Sequence, residues 1–235
     1  MKNRSCESNF FPAGSIFRPG LSSKLIIVVL ASLLLFMACE SAYYSTMEKF
    51  GYHKRDLMVS RVESARDAQE DAKEQFESAL EKFISVLDFK GGQLEEKYNQ
   101  LKTEYEKSVA RAQTVHERIE AVEDVSADLF AEWEAELSQY SNQNLRRSSE
   151  QKLKQTRRQY SQLIGAMKRA ERKIDPVLTA FHDQVLYLKH NLNAQAIASL
   201  QSELVSVETN VASLIKEMEA SIKEANAFID TMAKP

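Results

Sequence analysis

The sequence predicts an all-α fold, an elongated antiparallel four-helix bundle or coiled coil preceded by a signal peptide. Two observations lead to this prediction. After Leu25 the chain holds only four glycines and two prolines, whereas sandwiches, barrels and βαβ folds need a turn signal roughly every 8 to 15 residues. Over the same stretch, apolar residues recur at alternating steps of four and three, which is the spacing of long helices that pack along a seam.

Each predicted helix is defined by its own apolar stripe. The stripes begin at Met58, Leu94, Leu153 and Ile197. The predicted helix bounds are 54–89, 93–140, 145–190 and 194–232. Because the connections are short, sequential helices should run antiparallel. A single bundle is preferred over two hairpins side by side, since separate hairpins would leave more apolar surface in water.

Turn-forming residues separate the stripes. Lys90-Gly91-Gly92 should end the first helix, because glycine readily adopts the conformation of a helix C-terminus. The polar segment 141–144 is rich in capping residues and predicts the second turn. Between Leu192 and Ile197 the apolar step is five, which we interpret as a tight turn, with a continuous helix containing a stutter as the alternative. Pro176 predicts a kink or a short break in the third helix.

The N-terminal segment predicts export. Residues 25–37 form a run of thirteen residues without a charge, which suits the apolar core of a signal peptide and is shorter than a membrane-spanning helix needs. Phe36-Met37-Ala38-Cys39 resembles a bacterial lipobox, in which the cysteine is lipidated and becomes the new N-terminus. We therefore predict a lipoprotein-type signal peptide at 1–38, lipid attachment at Cys39 and a tether at 39–53. An uncleaved anchor and a chance match are the alternatives.

The predicted compartment follows from this processing. Cleavage would leave 27 basic and 33 acidic residues, with Cys39 as the only cysteine, so no internal disulfide is expected. By resemblance to sorted lipoproteins, Glu40 implies the periplasmic side of the outer membrane, and the inner membrane is the alternative. Tyr43, Tyr44 and Tyr52 are candidates for contact with the membrane interface, where aromatic rings with a polar edge are favoured. Equally, they could cap the open end of the bundle.

Charges are segregated along the second and third helices. Residues 117–136 are strongly acidic and residues 142–173 strongly basic. A reversal of the chain near Asn142 would lay one segment along the other, so we prefer pairing within the molecule. An external anionic partner is the alternative, because basic clusters also bind nucleic acid or anionic lipid. The candidate anion-binding residues are Arg146, Arg147, Lys152, Lys154, Arg157, Arg158, Lys168 and Arg169.

Residue patterns typical of catalysis are not found. Gly91-Gly92 lacks the remaining residues of a phosphate-binding loop. None of the four histidines has a glutamate three residues before it, which argues against a two-metal centre of the ferritin type. Trp133 occupies a stripe position and is expected in the core. The sequence therefore predicts no enzyme activity, no metal and no cofactor.

Four blocks of the chain resemble segments of a known protein family. They are AYYSTMEKFGYHKRD (42–56), RIEAVEDVSADLFAEWEAEL (118–137), LRRSSEQKLKQTRRQYSQLIGAMKRAER (145–172) and DQVLYLKHNLNAQAIASL (183–200). This part of the chain is similar to an uncharacterised family of helical coiled-coil lipoproteins of Gram-negative bacteria. The resemblance implies a helical fold and an envelope location, and it implies no activity. The signal segment is longer here than is usual for such proteins.

Three functional hypotheses remain. The first is a lipid-anchored periplasmic scaffold or interaction protein of the cell envelope, which self-associates or binds other envelope proteins. The second is a binder of anionic lipid or polymer through the basic stripe 146–173, with nucleic acid not the main expectation. The third is a coiled-coil protein held in the inner membrane by an uncleaved anchor.

Overall fold

The computed structural model describes residues 54–88 and 94–233, and these residues form four helices and no strand. The chain divides into two units, 1–51 and 52–235, and all four helices belong to the second. The predicted all-α class is confirmed. The helices are α1 (Lys54–Leu87), α2 (Leu94–Leu137), α3 (Gln143–His190) and α4 (Ala194–Ala233).

The four helices form one closed bundle. Each packs against two others, in the ring α1–α2–α3–α4 and back to α1. Contacts along the closing pair show the antiparallel direction: the Arg55 guanidinium donates to the Met232 carbonyl, near the start of α1 and the end of α4. At the other end, the Gln201 amide donates to the Leu87 carbonyl at 3.4 Å. This closure confirms a single bundle rather than two separate hairpins.

The predicted stripes form the core. In α1 every stripe position from Met58 to Val86 is at most 1% exposed. Phe76, Phe83 and Phe181 are fully buried, and each buried side chain of this size contributes about 1.5 to 3 kcal/mol to stability. The alanines of the α1 stripe are also buried, as close approach of a neighbouring helix requires. The α4 stripe is buried at all positions but Leu204, which is partly exposed.

The second turn is capped by a side chain. Asn142 is the N-cap of α3, and its Oδ1 accepts hydrogen bonds from the backbone N–H groups of Asn144 and Leu145 at 2.9 and 3.3 Å. Such a bond satisfies donors that have no partner within the helix. α2 ends at Leu137 rather than at the predicted 140, and Tyr140 is 38% exposed. The last positions of this predicted stripe therefore lie outside the core.

The third turn separates α3 from α4 after only three residues. Asn191 closes α3, with its backbone N–H bonded to the Leu188 carbonyl at 3.1 Å. The Asn193 side chain accepts from the Ala196 N–H at 3.0 Å and so caps α4. This arrangement confirms the tight turn, and the alternative of one continuous helix is wrong. Leu192, predicted as a stripe residue, is 42% exposed in the turn.

Pro176 does not interrupt α3. The helix runs without a break from Gln143 to His190, so the predicted short break near Asp175 is wrong. Proline cannot donate the backbone hydrogen bond that the carbonyl four residues earlier, that of Arg172, would accept. Because Arg172 and Pro176 both lie on the exposed face, water can take the place of the missing donor.

Several predictions lie outside the described residues. They concern the signal peptide 1–38, the tether 39–53 and the end of the first helix at Lys90-Gly91-Gly92. The residues singled out in the first two segments are Cys39, Tyr43, Tyr44 and Tyr52. Within the described ranges, none of the helices is apolar over enough of its length to cross a bilayer.

Candidate functional site

Part of the basic stripe on α3 pairs with the acidic segment of α2. Lys168 Nζ lies 2.8 Å from Glu123 Oε2. Arg157 Nη1 lies 2.5 Å from Glu134 Oε1, and its guanidinium carbon is 5.2 Å from the centroid of the Phe130 ring. For Arg157 and Lys168, the preferred interpretation of pairing within the molecule is confirmed.

Other basic residues of the stripe find different partners. Arg169 Nε lies 3.4 Å from Glu217 Oε2 on α4, a pair that a comparison of α2 with α3 alone could not suggest. Lys154 pairs with Glu150 one turn earlier in α3, at 2.8 Å. Because exposed pairs of this kind contribute about 0 to 1 kcal/mol each, they fix register and orientation more than they stabilise the fold.

The remaining candidate anion-binding residues form no ion pair among the described residues, although Arg146 interacts electrostatically with Glu150 one turn later in α3. Within 54–88 and 94–233, no ion pair within 4.0 Å involves Arg146, Arg147, Lys152 or Arg158. All four side chains are exposed. The structure therefore divides the eight candidates into two sets. Lys154, Arg157, Lys168 and Arg169 are paired within the bundle, whereas Arg146, Arg147, Lys152 and Arg158 have exposed charges that can meet another molecule.

A small charge network joins α2 and α3 near their middle. His116 Nδ1 lies 2.6 Å from Glu171 Oε1, and its Nε2 lies 3.2 Å from Glu120. The hydrogen bond with Glu171, helped by the charge of Glu120, raises the pKa of His116 above its usual range. Lys168 also reaches Glu171, at 3.5 Å, and the hydrogen bond with Glu123 raises the pKa of Lys168. The network therefore favours the charged forms of both bases.

The end of the α2–α3 pair is a projecting hairpin, which we call the tip hairpin (residues 133–153). The Trp133 indole N–H donates to Ser149 Oγ at 2.8 Å, and Leu153 is only 3% exposed. Next to the hairpin, the Phe130 and Tyr160 rings meet edge to face at 5.5 Å. Trp133 is half-buried rather than a core residue as predicted, because it covers one side of a two-helix segment.

Unequal helix lengths explain why this hairpin projects. α2 has 44 residues against 34 in α1, and α3 has 48 against 40 in α4. At the opposite end only three residues join α3 to α4, and the end of α1 contacts the start of α4 through the Gln201–Leu87 hydrogen bond. The surplus therefore falls at the tip hairpin and amounts to about 12 to 15 Å at 1.5 Å per residue. All residues from Ser138 to Ser148 are exposed.

Two apolar side chains on this hairpin are exposed, Tyr140, which the sequence predicted as a stripe residue, and Leu145, which the stripe pattern did not include. Leu145 is 57% exposed and Tyr140 is 38% exposed, both close in the chain to Arg146 and Arg147. The surplus length of the two central helices was already visible in the predicted bounds and could have indicated that residues at this turn lack cover. Leu145 lies outside the apolar stripe, so the stripe pattern alone gives no indication of it.

The described part of the chain shows no arrangement for metal chemistry. Within it, no group of three or more His, Cys, Asp and Glu side chains could hold an ion. His182 stacks obliquely on Tyr105, with ring centroids 5.5 Å apart. The buried side chains of Gln69 and Ser221 have polar atoms without a hydrogen-bond partner. Since they lie at stripe positions of α1 and α4, they belong to the interior of the bundle rather than to a surface site.

Comparison with known proteins identifies a family and no activity. A comparison with curated proteins gave no match. A family model described as "Protein of unknown function (DUF2959)" matches residues 43–232, a range that includes all four helices almost to the end of α4. The predicted resemblance to an uncharacterised helical family is thereby confirmed in its coarser form. The chain belongs to the DUF2959 family of proteins of unknown function.

Proposed function

We propose that the protein is a lipid-anchored helical scaffold or interaction protein of the cell envelope and that it has no catalytic site. The observation that carries this proposal is the uncharged run 25–37, which ends two residues before Cys39 and precedes a long helical bundle. A lipid on Cys39 would hold the bundle on the periplasmic side of the outer membrane. An uncleaved anchor in the inner membrane is the competing arrangement.

The described bundle supports a structural role. Helices of 34 to 48 residues extend about 50 to 70 Å at 1.5 Å per residue. Inward-facing positions are occupied by buried apolar side chains, and many surface charges form pairs between neighbouring helices, such as Arg111 with Asp71 and Lys54 with Glu132. A bundle held together in this way can keep two attached molecules at a fixed separation.

The anchor is tested on the full chain produced in a Gram-negative host. Mass spectrometry of the N-terminal peptide should show a chain that begins at Cys39 and carries a diacylglyceryl group and an acyl chain. The matched Cys39→Ser variant should keep its N-terminal segment. An intact N-terminus in the parent chain would overturn the lipid anchor and favour the inner-membrane alternative. Fractionation of the two membranes then tests the proposed location.

A second candidate function is binding of an anionic lipid or polymer through the stripe 146–173. The observation that favours it is that Arg146, Arg147, Lys152 and Arg158 form no ion pair within 4.0 Å among the described residues. Binding of this kind weakens steeply with salt, whereas assembly through apolar contacts does not. A salt titration of binding to heparin and to anionic vesicles therefore distinguishes this function from the scaffold role.

A further inference from the structure

We propose that the tip hairpin docks on the anionic headgroups of the bilayer that holds the anchored chain, so that the bundle contacts the membrane at two points. This inference rests on the proposed lipid anchor at Cys39. It assigns a membrane-contact site to a part of α2 and α3 that is far from Cys39 in the sequence. The residues that carry it are Tyr140, Leu145, Arg146, Arg147 and Lys152.

Position is the first argument. The chain enters the bundle at Lys54, whose ammonium pairs with Glu132 at 3.0 Å, only one residue before the tip hairpin begins. Lys54, the first residue of α1, is therefore at the same end of the bundle as the tip hairpin. Residues 40–53 number fourteen and span at most about 46 to 50 Å when extended. This reach exceeds the 12 to 15 Å or so by which the tip hairpin projects, so an anchored chain can bring the hairpin to the bilayer surface.

Charge is the second argument. From Ser138 to Lys154 there are four basic residues and one acidic residue, Glu150, which pairs with Lys154. Glu134 is paired with Arg157, and Glu136 is the remaining exposed acid of the hairpin. The first turn of α3 contains no acidic residue, so the partial positive charge of the helix N-terminus adds to the charge of Arg146 and Arg147. The result is a local excess of positive potential at the projecting end of the bundle.

The exposed apolar side chains favour a bilayer over a polymer. Leu145 is next to Arg146 in the first turn of α3 and is 57% exposed, and the Tyr140 ring is 38% exposed. Basic residues beside aliphatic and aromatic side chains are typical of segments that lie in a membrane interface. A polymer would instead need a continuous basic groove along α3. That groove is interrupted where Lys168 and Arg169 are neutralised by Glu123 and Glu217.

Each basic residue of the tip hairpin should strengthen binding to anionic lipid by a predictable factor. Each Lys or Arg close to an anionic surface strengthens binding by about fivefold. Loss of the charges of Arg146, Arg147 and Lys152 should therefore weaken the contact with anionic lipid by about 100-fold. The same contact should weaken as ionic strength rises, because screening shortens the range of the interaction.

The test uses the mature full chain, purified from membranes and reconstituted into vesicles. Ser141→Cys is labelled with an environment-sensitive nitrobenzoxadiazole probe at the turn of the tip hairpin. In vesicles of phosphatidylcholine with phosphatidylglycerol, the emission should be brighter and shifted to the blue relative to pure phosphatidylcholine. High salt should reverse the change.

Matched variants locate the effect. The variant Arg146→Gln, Arg147→Gln, Lys152→Gln should lose the spectral change. The control variant Arg111→Gln, Lys168→Gln, Arg169→Gln removes the same charge from residues whose acidic partners, Asp71, Glu123 and Glu217, lie outside the tip hairpin, and it should keep the change. Thermal melting of both variants checks that they are folded. Equal responses of the two variants, or no dependence on phosphatidylglycerol, would overturn the proposal.

Failure of the anchor and failure of the docking surface give different results. If Cys39 is not lipidated, its thiol also takes the probe and the N-terminal peptide has the wrong mass. If Cys39 is lipidated and the spectrum is insensitive to anionic lipid, only the docking surface is wrong. If a DNA oligonucleotide or heparin, added to detergent-solubilised protein, produces the same change with the same loss in the tip variant, the surface binds polymers and the lipid assignment is overturned.

Discussion

Two adjacent arginines of the basic stripe, Arg157 and Arg158, differ in their contacts within the bundle. Matched substitutions of the two can therefore distinguish pairing within the molecule from binding to another molecule. Arg157 contacts Glu134 and the Phe130 ring, whereas Arg158 is exposed and has no ion pair among the described residues. Replacement of either by Glu changes the net charge equally. We expect Arg157→Glu to destabilise the bundle and Arg158→Glu to leave its stability nearly unchanged.

The size of the effect follows from the contacts of Arg157. An exposed ion pair contributes about 0 to 1 kcal/mol, and a cation over an aromatic ring about 0.5 to 1 kcal/mol. A new carboxylate opposite Glu134 adds a repulsion of similar size to the lost pair, so the total should be about 1 to 2.5 kcal/mol. For a domain of this size, that loss lowers the Tm by about 2 to 10 °C. Arg158→Glu should stay within about 0.5 kcal/mol of the parent.

Thermal unfolding followed by circular dichroism at low and high salt measures both variants. The difference between them should shrink at high salt, because charges at the surface are screened. The double variant Arg157→Glu, Glu134→Arg should recover part of the lost stability by restoring opposite charges. Equal Tm values for the two single variants would refute the internal role of Arg157 and, with it, the division of the stripe.

Three further predictions concern the core, pH dependence and helix continuity. Gln69→Met should raise the free energy of unfolding in urea by about 1 to 3 kcal/mol, since Gln69 is fully buried and both polar atoms of its amide lack partners; a lower value would show that the amide is bonded. His116→Gln should lower the Tm more at acidic than at alkaline pH. The raised pKa of His116, caused first by the bond with Glu171, adds stability that is complete below the unfolded pKa and is lost as the pH rises through the folded pKa. Pro176→Ala should raise the free energy of unfolding by up to about 3 kcal/mol, and the Tm with it, because it restores a backbone donor within α3; an unchanged Tm would show that water already satisfies the Arg172 carbonyl.

The local sequence determined the helices and their buried faces. A stripe with a 3.5-residue spacing can face a neighbouring helix only if the backbone is helical, so Met58 to Val86 and Ile197 to Met232 indicated both the helices and their inward sides. Polar and asparagine-rich segments indicated the second and third turns. These features depend on backbone geometry over a few residues, which neighbouring residues in the sequence specify.

Only the tertiary structure decided which charges meet and which remain exposed. The partner of a long side chain depends on the axial offset between helices and on which neighbour it faces, and a single stripe contains neither quantity. Arg169 therefore pairs with Glu217 on α4, while Arg146 and Arg147, in the same basic segment, lie beyond the ends of α1 and α4 and form no ion pair among the described residues. The projection arises because two helices of unequal length are aligned at one end, so their surplus must lie at the other.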